Sequence, residues 1–296
     1  MSDILLTEVA GVAPRGRAHI LRRFLHHKLA VLGVVVIALL GVAAAGATWL
    51  APYDPDYIEI GQRYAPPLSD GRLLGADDLG RDVQSRLMFA GRISLSVGIA
   101  AMLVTLIVGF AVGAFAAYLG GFIDVALMRL TDVMLCFPSV FLLLFVAAFV
   151  TPTLTSIALM IGLTCWMEIA RIVHAQILSL KSADFIAAAQ LAGAPAWRIV
   201  LRQILPNTLA PLLVAATLNT ANAILLESYI SFLGYGIQPP QASWGNMLTN
   251  AQSDFQVDAW LAVFPGLAIT LAVASFNFIG DGLRDALDPR VSHNER

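Results

Sequence analysis

The sequence predicts an all-α membrane protein with one domain and about six transmembrane helices. Its 296 residues are 58% hydrophobic and only 13% charged, whereas a soluble domain has roughly 25% charged residues. The first apolar run, residues 29–51, contains no charged side chain. A helix needs about 20 such residues to cross a hydrocarbon core of ~30 Å. A large soluble core would instead show a polar face every turn or two, which these runs lack.

Six apolar runs are long enough to cross a bilayer, and we expect each to be helical. They cover residues 29–51, 93–117, 125–150, 153–173, 208–230 and 259–280. The third run contains Asp132 and Pro138, which predict a helix that is broken or packed against protein. The chain then divides into an N-terminal arm (1–28), a first transmembrane helix (29–51), a loop (52–92), a five-helix core (93–281) and a tail (282–296).

The basic residues predict the orientation. Five Lys and Arg residues between Arg15 and Lys28 place the N-terminal arm in the cytoplasm by the positive-inside rule. Six spans return the C-terminus to the same side. Residues 231–258 contain no Lys or Arg and fall outside, whereas residues 173–207 contain three and fall inside. The external loop 52–92 is a partial exception because it contains five arginines.

Composition and motifs disfavour several functions. A net charge of -2 gives no basic surface for nucleic acid. The sequence has no Gly-x-x-x-x-Gly-Lys-Ser/Thr loop, no His-Glu-x-x-His and no Gly-x-Ser-x-Gly, so we expect neither catalytic residues nor a cofactor. Cys136 and Cys165 lie in apolar runs, where small buried side chains are expected rather than a metal site. A transporter of this sequence would take its energy from an ion gradient or another chain.

The cytoplasmic loop between the fourth and fifth runs predicts two short helices joined by a tight turn. Asp184 can cap a helix that begins at Phe185, the small residues Ala187, Ala188 and Ala189 follow, and Gly193 suits the left-handed residue that ends a helix. A second helix over 196–205 leads through Leu205 to Pro206. The pattern is typical of a docking element for another protein, and equally of an ordinary surface elbow.

Five stretches resemble the dipeptide and oligopeptide permeases of binding-protein-dependent ABC importers. The loop 184–207 is similar to the "EAA" loop of those subunits, and the other stretches lie in the family's order along the chain. They are residues 74–82, 132–139, 231–247 and 276–289. Ala187 stands where the family's name places a Glu, which puts in doubt any ion pair at that position.

The resemblance implies a type I ABC importer permease that is not itself an enzyme. It implies a bacterial inner-membrane subunit that works with a second homologous permease, two ABC ATPase subunits and an external substrate-binding protein. Residues 182–206 would be the ATPase-coupling loop, and docking would depend on shape and close packing around the alanines and Gly193. Short peptides are the implied cargo. Nickel chelates, glutathione and oligosaccharides are the alternatives within the family.

An ion-driven secondary transporter is the rival from another class. It would be expected to show inverted repeats within one chain and membrane-embedded coupling acids. The sequence shows no internal repeat, and Glu227 alone is a thin basis for a proton relay. A purification that tests for an attached ATPase would distinguish the two.

Polar residues inside the predicted spans are further candidates. Asn219, Thr220, Asn222 and Glu227 fall within an arc of about 160° on the fifth helix at 100° per residue, so they face the bundle interior or a wet cavity. They would line the translocation path or contact the partner permease.

Two other features of the sequence carry expectations. We expect Arg129 with Asp132, and Glu168 with Arg171, to form local pairs three residues apart. The external loop from Gln238 to Met247 is expected to be rigid, with Trp244 as an interfacial anchor; alternatively, this loop contacts the binding protein.

Overall fold

The computed structural model describes residues 17–69, 71–254 and 258–287. Every regular element within these ranges is a helix. The N-terminal arm before residue 17 and the tail after residue 287 lie outside the described residues. In chain order the helices are α1 (Arg17–His26), α2 (Lys28–Ala45), α3 (Ala47–Leu50), α4 (Val83–Leu119), α5 (Gly121–Leu135), α6 (Ser139–Ala147), α7 (Leu154–Lys181), α8 (Asp184–Leu191), α9 (Ala196–Ile199), α10 (Leu205–Phe232), α11 (Trp244–Asp254) and α12 (Trp260–Leu287).

The predicted membrane spans are present in the structure. Among the described residues, five helical segments are long and apolar enough to cross a membrane: α2, α4, α7, α9 through α10, and α12. A sixth span results if α5 and α6 are counted together, although these two are bent by 86°. The break falls at 136–138, where Pro138 cannot donate the backbone hydrogen bond that would continue α5. The expectation of a broken third span is therefore confirmed.

Helix α4 is much longer than its predicted run. It begins at Val83, so the last ten residues of the predicted loop 52–92 are helical. The side chain of Asp82 caps this helix by accepting a hydrogen bond from the backbone N–H of Ser85 at 2.7 Å. A helix of 37 residues is about 55 Å long at 1.5 Å per residue. Since this exceeds a bilayer core of ~30 Å, α4 extends beyond the membrane.

Glycines allow α4 and α7 to pack closely. A Cβ atom at Gly162 of α7 would lie 2.5 Å from the Cβ of Val104, and one at Gly109 of α4 would lie 2.6 Å from the Cβ of Ile169. Both distances are too short for any side chain. Helices α4 and α7 therefore meet backbone to backbone, which is how membrane helices gain packing energy without a hydrophobic drive between them.

Acidic and carbonyl groups pair the arginines of residues 52–92. Arg86 is fully buried and donates to the Pro55 carbonyl at 3.1 Å and to Asp56 at 3.3 Å. Arg72 pairs with Glu59 at 2.8 Å. Arg92 donates to the last carbonyls of α2, with Nη2 3.0 Å from the oxygen of Ala45. Each of these three arginines therefore has a local partner, although it lies on the predicted outer side, where the positive-inside rule expects few basic residues.

Candidate functional site

Residues 182–206 form the two-helix element that the sequence predicts, with a different start and end. Helix α8 begins at Asp184 itself, its N-cap is Ala183, and no side chain caps it. The predicted Asp184 cap is therefore wrong, and its carboxylate lies in the first turn, where it still opposes the positive end of the helix dipole.

The second helix does not stop before Pro206. A π-helical turn over Val200–Ile204 connects α9 directly to α10, and Pro206 occupies the first turn of α10. The π-helical turn interrupts the regular hydrogen-bond ladder just before Pro206, which has no backbone N–H to donate to that ladder. The predicted end of the second helix at Leu205 is thus replaced by a continuous helix that runs into the fifth span.

Gly193 ends α8 as expected. Its φ is +72°, its N–H donates to the Gln190 carbonyl at 3.0 Å, and the Ala194 N–H donates to the Ala189 carbonyl at 3.0 Å. These two bonds form a Schellman motif, which places a left-handed residue, usually glycine, immediately after the helix. The turn ends α8 and leads the chain into α9.

One face of α8 is buried and the other is open. Ile186 and Ala189 pack into a cluster with residues of α7 and α9, and they are buried. Ala187, Ala188 and Gly193 are exposed. Ala189 is therefore a packing residue and not part of the open face on which all three alanines were expected.

The open face carries large apolar side chains as well as the small residues. Leu191 is 90% exposed, and Trp197 of α9 and Phe185 are also exposed. An exposed cluster of large apolar side chains on a surface element usually marks a protein contact. The expected contribution of Gly193 fits this surface, because a Cβ atom there would meet nothing within 4 Å.

A cavity of about 350 Å³ lies where the α5–α6 break meets the middle of α7 and α10. Its lining is apolar with a few polar groups: Leu135, Phe137, Pro138, Ser139, Thr164, Cys165, Met167, Glu168, Asn219, Asn222, Leu225, Leu226 and Tyr229. This volume and this mixture are typical of small-molecule sites. Among the described residues, no group of three or more His, Cys, Asp or Glu side chains is placed to hold a metal.

The structure brings only two of the four predicted path residues to this cavity. Asn219 and Asn222 line it, whereas Thr220 and Glu227 do not. Thr220 is buried and donates its hydroxyl hydrogen to the Ala216 carbonyl at 2.8 Å. This agrees with the expectation that the arc faces the bundle interior or a wet cavity: one edge of the arc of about 160° faces the cavity and the other faces packed helices.

Glu227 instead joins three helices on the packed side of α10. Its fully buried carboxylate accepts hydrogen bonds from the hydroxyls of Ser94 at 2.8 Å and Ser231 at 2.7 Å. Ser94 Oγ also accepts from the backbone N–H of Trp244 at 3.2 Å. The network connects α4, α10 and α11, so Glu227 holds the helix that follows the 233–243 segment against the bundle.

Trp244 is buried, which corrects the expected interfacial anchor. It is 1% exposed, and its indole N–H donates to the Leu87 carbonyl at 3.1 Å. The Pro-rich segment before it gave the impression of a free surface loop. The fold instead returns α11 into the bundle beside α4 and α12, and the ring fills the core there.

The charged pairs also differ from expectation. Arg129 does approach Asp132, at 3.9 Å, but Asp132 makes its shorter contact with Arg171 across to α7, at 3.0 Å. Glu168 is not within 4 Å of Arg171 and lines the cavity instead. Cys136 is exposed at the break and Cys165 is partly buried in the lining, so only Cys165 approaches the expected buried state.

Comparison with known families agrees with this architecture. The family model described as the inner membrane component of binding-protein-dependent transport systems matches residues 109–293. The chain belongs to this family. A second model, described as the N-terminal transmembrane domain of oligopeptide transport permease C, matches residues 18–67. The chain is thus a transmembrane permease subunit of an ABC importer with a type I fold, a transporter and not an enzyme.

Similar proteins cover nearly all of the permease. It is 40% identical to the oligopeptide transport system permease protein OppC of Escherichia coli strain K12 over 272 residues, which is 91% of this chain and 89% of the relative. It is 38% identical to the OppC protein of Haemophilus influenzae over 270 residues, which is 91% of this chain and 87% of that relative.

Sequence reasoning missed two features of the permease. The serines that hold Glu227 are separated from it by up to 133 positions in the chain, and nothing in their local pattern marks them. Glu168 was assigned to a local pair because Arg171 follows at helical spacing. The preference of Arg171 for Asp132 depends on how α5 crosses α7, which a single sequence does not reveal.

Proposed function

We propose that this permease subunit moves short peptides across the bacterial cytoplasmic membrane, driven by ATP hydrolysis on separate subunits. The observation that carries the cargo is its likeness over about nine-tenths of the chain to two proteins named as oligopeptide permeases. The complete transporter would contain a second, homologous permease, two ABC ATPase subunits and an external binding protein. Both termini would be cytoplasmic, in line with the basic N-terminal arm.

Residues 182–206 are the proposed ATPase-coupling loop. Supporting this role are the left-handed turn at Gly193 and the open apolar face that includes Leu191, which is 90% exposed. The helical continuity from α9 into α10 supports it further, because a movement imposed on the loop would pass along one helix to Asn219 and Asn222. We propose that these two asparagines line the translocation path.

The experiment is an uptake assay with a cargo panel. A strain that lacks this gene, and the same strain with the gene restored, would be given radiolabelled tri-alanine, glutathione, a nickel chelate and an oligosaccharide. We expect restored uptake of tri-alanine only. Restored uptake of one of the other three, with no change for the peptide, would contradict the peptide assignment while leaving the importer role intact.

A further inference from the structure

We propose that Glu168 receives the positively charged amino terminus of a peptide as it crosses the membrane. The inference rests on the proposed function and deepens it, because it names the chemical group that the cavity recognises. It also identifies a specificity residue that the local pairing pattern had concealed.

An unpaired carboxylate at the position of Glu168 would carry a large free-energy cost. It lies halfway along α7 (Leu154–Lys181), roughly 20 Å from either end at 1.5 Å per residue. Asn219 lies halfway along α10 in the same way. Glu168 also lies inside the predicted apolar run 153–173. A carboxylate within a membrane span requires water or a counter-charge and usually marks a substrate or ion pathway.

No described group supplies that counter-charge. Arg171, one turn away on the same helix, is held by Asp132 at 3.0 Å. Within the described ranges, no Lys, Arg or His nitrogen lies within 4 Å of the Glu168 carboxylate. Glu168 is also the only Asp, Glu, Lys, Arg or His residue in the cavity lining. The cavity therefore presents one carboxyl group that has no described basic side chain within 4 Å.

The surrounding groups suit an ammonium ion attached to a peptide. An ammonium has three N–H donors and needs acceptors beyond a single carboxylate. Asn219 donates its amide hydrogen to the Ala215 carbonyl at 3.3 Å, so its oxygen remains to accept. Leu135, the last residue of α5, also lines the cavity, and the final carbonyls of a helix lack intrahelical partners.

The partly open cavity favours transient binding. Glu168 and Asn222 are exposed in the isolated chain, and water in a translocation path would weaken any ion pair made there. A transport path needs such a site, because cargo has to bind well enough to enter and weakly enough to leave. The lining contains no basic side chain.

A thiol-protection experiment tests binding directly. The complete transporter would be purified without its binding protein and with Cys136→Ser in this chain. Modification of Cys165, three residues before Glu168 in the same lining, would be followed by mass spectrometry with N-ethylmaleimide as reagent. Millimolar tri-alanine should slow modification about threefold, the effect of occupying two-thirds of the sites. N-acetyl-tri-alanine, which lacks the ammonium, should not slow it.

Variants connect that protection to the carboxylate. Glu168→Gln should abolish protection by tri-alanine and Glu168→Asp should preserve it. In cells with the complete transporter, Glu168→Gln should lower tri-alanine uptake about tenfold, the effect of losing one charge-assisted contact. The matched control is Asp285→Asn, which removes an exposed carboxylate (66% exposed) at the end of α12 and should leave uptake unchanged.

Three results would overturn the inference: equal effects of the two peptides, including no protection by either; full uptake in Glu168→Gln; or loss of the assembled complex in Glu168→Gln. The last would assign Glu168 to an ion pair with the partner permease. Failure of the proposed function is separate, because it would appear as no tri-alanine uptake by the unaltered transporter.

Discussion

Replacing Gly193 with tryptophan should stop transport without unfolding the chain. Gly193 has φ +72°, so any L-residue there costs about 1–2 kcal/mol of backbone energy. A Cβ atom there has nothing within 4 Å in this chain, so the position is open. Extra bulk would therefore clash with a protein that docks on this face.

Alanine at the same position is the matched control. Alanine must adopt the same left-handed backbone and has the same backbone energy cost, but it adds only one carbon atom. The ratio of uptake between Gly193→Ala and Gly193→Trp therefore reports bulk alone. We expect Gly193→Ala to stay within about threefold of wild type and Gly193→Trp to fall at least about tenfold below it, which corresponds to 1.4 kcal/mol of lost docking.

The assay is tri-alanine uptake, together with ATP hydrolysis by the purified transporter and an immunoblot of the membrane fraction. We expect equal membrane levels for both variants, and ATP hydrolysis in Gly193→Trp that no longer drives uptake. Equal uptake by the two variants at equal membrane levels would refute the docking role of this turn.

Three further substitutions test other parts of the structure. Glu227→Ala should lower the unfolding temperature in detergent, because it leaves two buried serine hydroxyls without their acceptor at a cost of ~1–3 kcal/mol each; an unchanged melting curve would contradict the network. Gly162→Ala should also destabilise, by about 1–3 kcal/mol of overpacking against a valine of α4. Its control, Gly266→Ala, has open space and should be neutral or stabilising by up to about 1 kcal/mol through helix propensity; equal effects would refute close α4–α7 packing. Asn222→Leu should reduce tri-alanine uptake several-fold while Thr220→Val, outside the cavity lining, leaves it intact; the reverse order would argue against this cavity as the path.

The helices were predictable because the bilayer imposes a strong rule on sequence. Every span must be long and apolar, so the runs that begin near residues 29, 153 and 259 were found within a few residues at their starts. The break at Pro138 was also predictable, since proline removes a backbone donor. Helical segments that extend beyond the membrane were not predictable, because the bilayer places no such rule on their sequence. The loop predicted for residues 52–92 therefore missed the first ten residues of α4.

The site was less predictable because tertiary contacts choose among local patterns. Helical spacing alone favoured a Glu168–Arg171 pair. Because α5 crosses α7, Arg171 instead forms an ion pair with Asp132. An aromatic residue after two prolines suggested a surface anchor, but Trp244 is buried in the core. The turn at Gly193 was predictable because a left-handed helix end depends on local backbone geometry.

The central claim, that a separate ATPase drives this permease through residues 182–206, is tested most directly by cross-linking. A photoactivatable amino acid would replace Leu191, the 90% exposed residue of α8, in cells that express the complete transporter. The account predicts a cross-linked product that mass spectrometry identifies as an ABC ATPase, and its loss when Gly193→Trp is added. A cross-link only to lipid or to another permease, in cells that import tri-alanine at the normal rate, would contradict it.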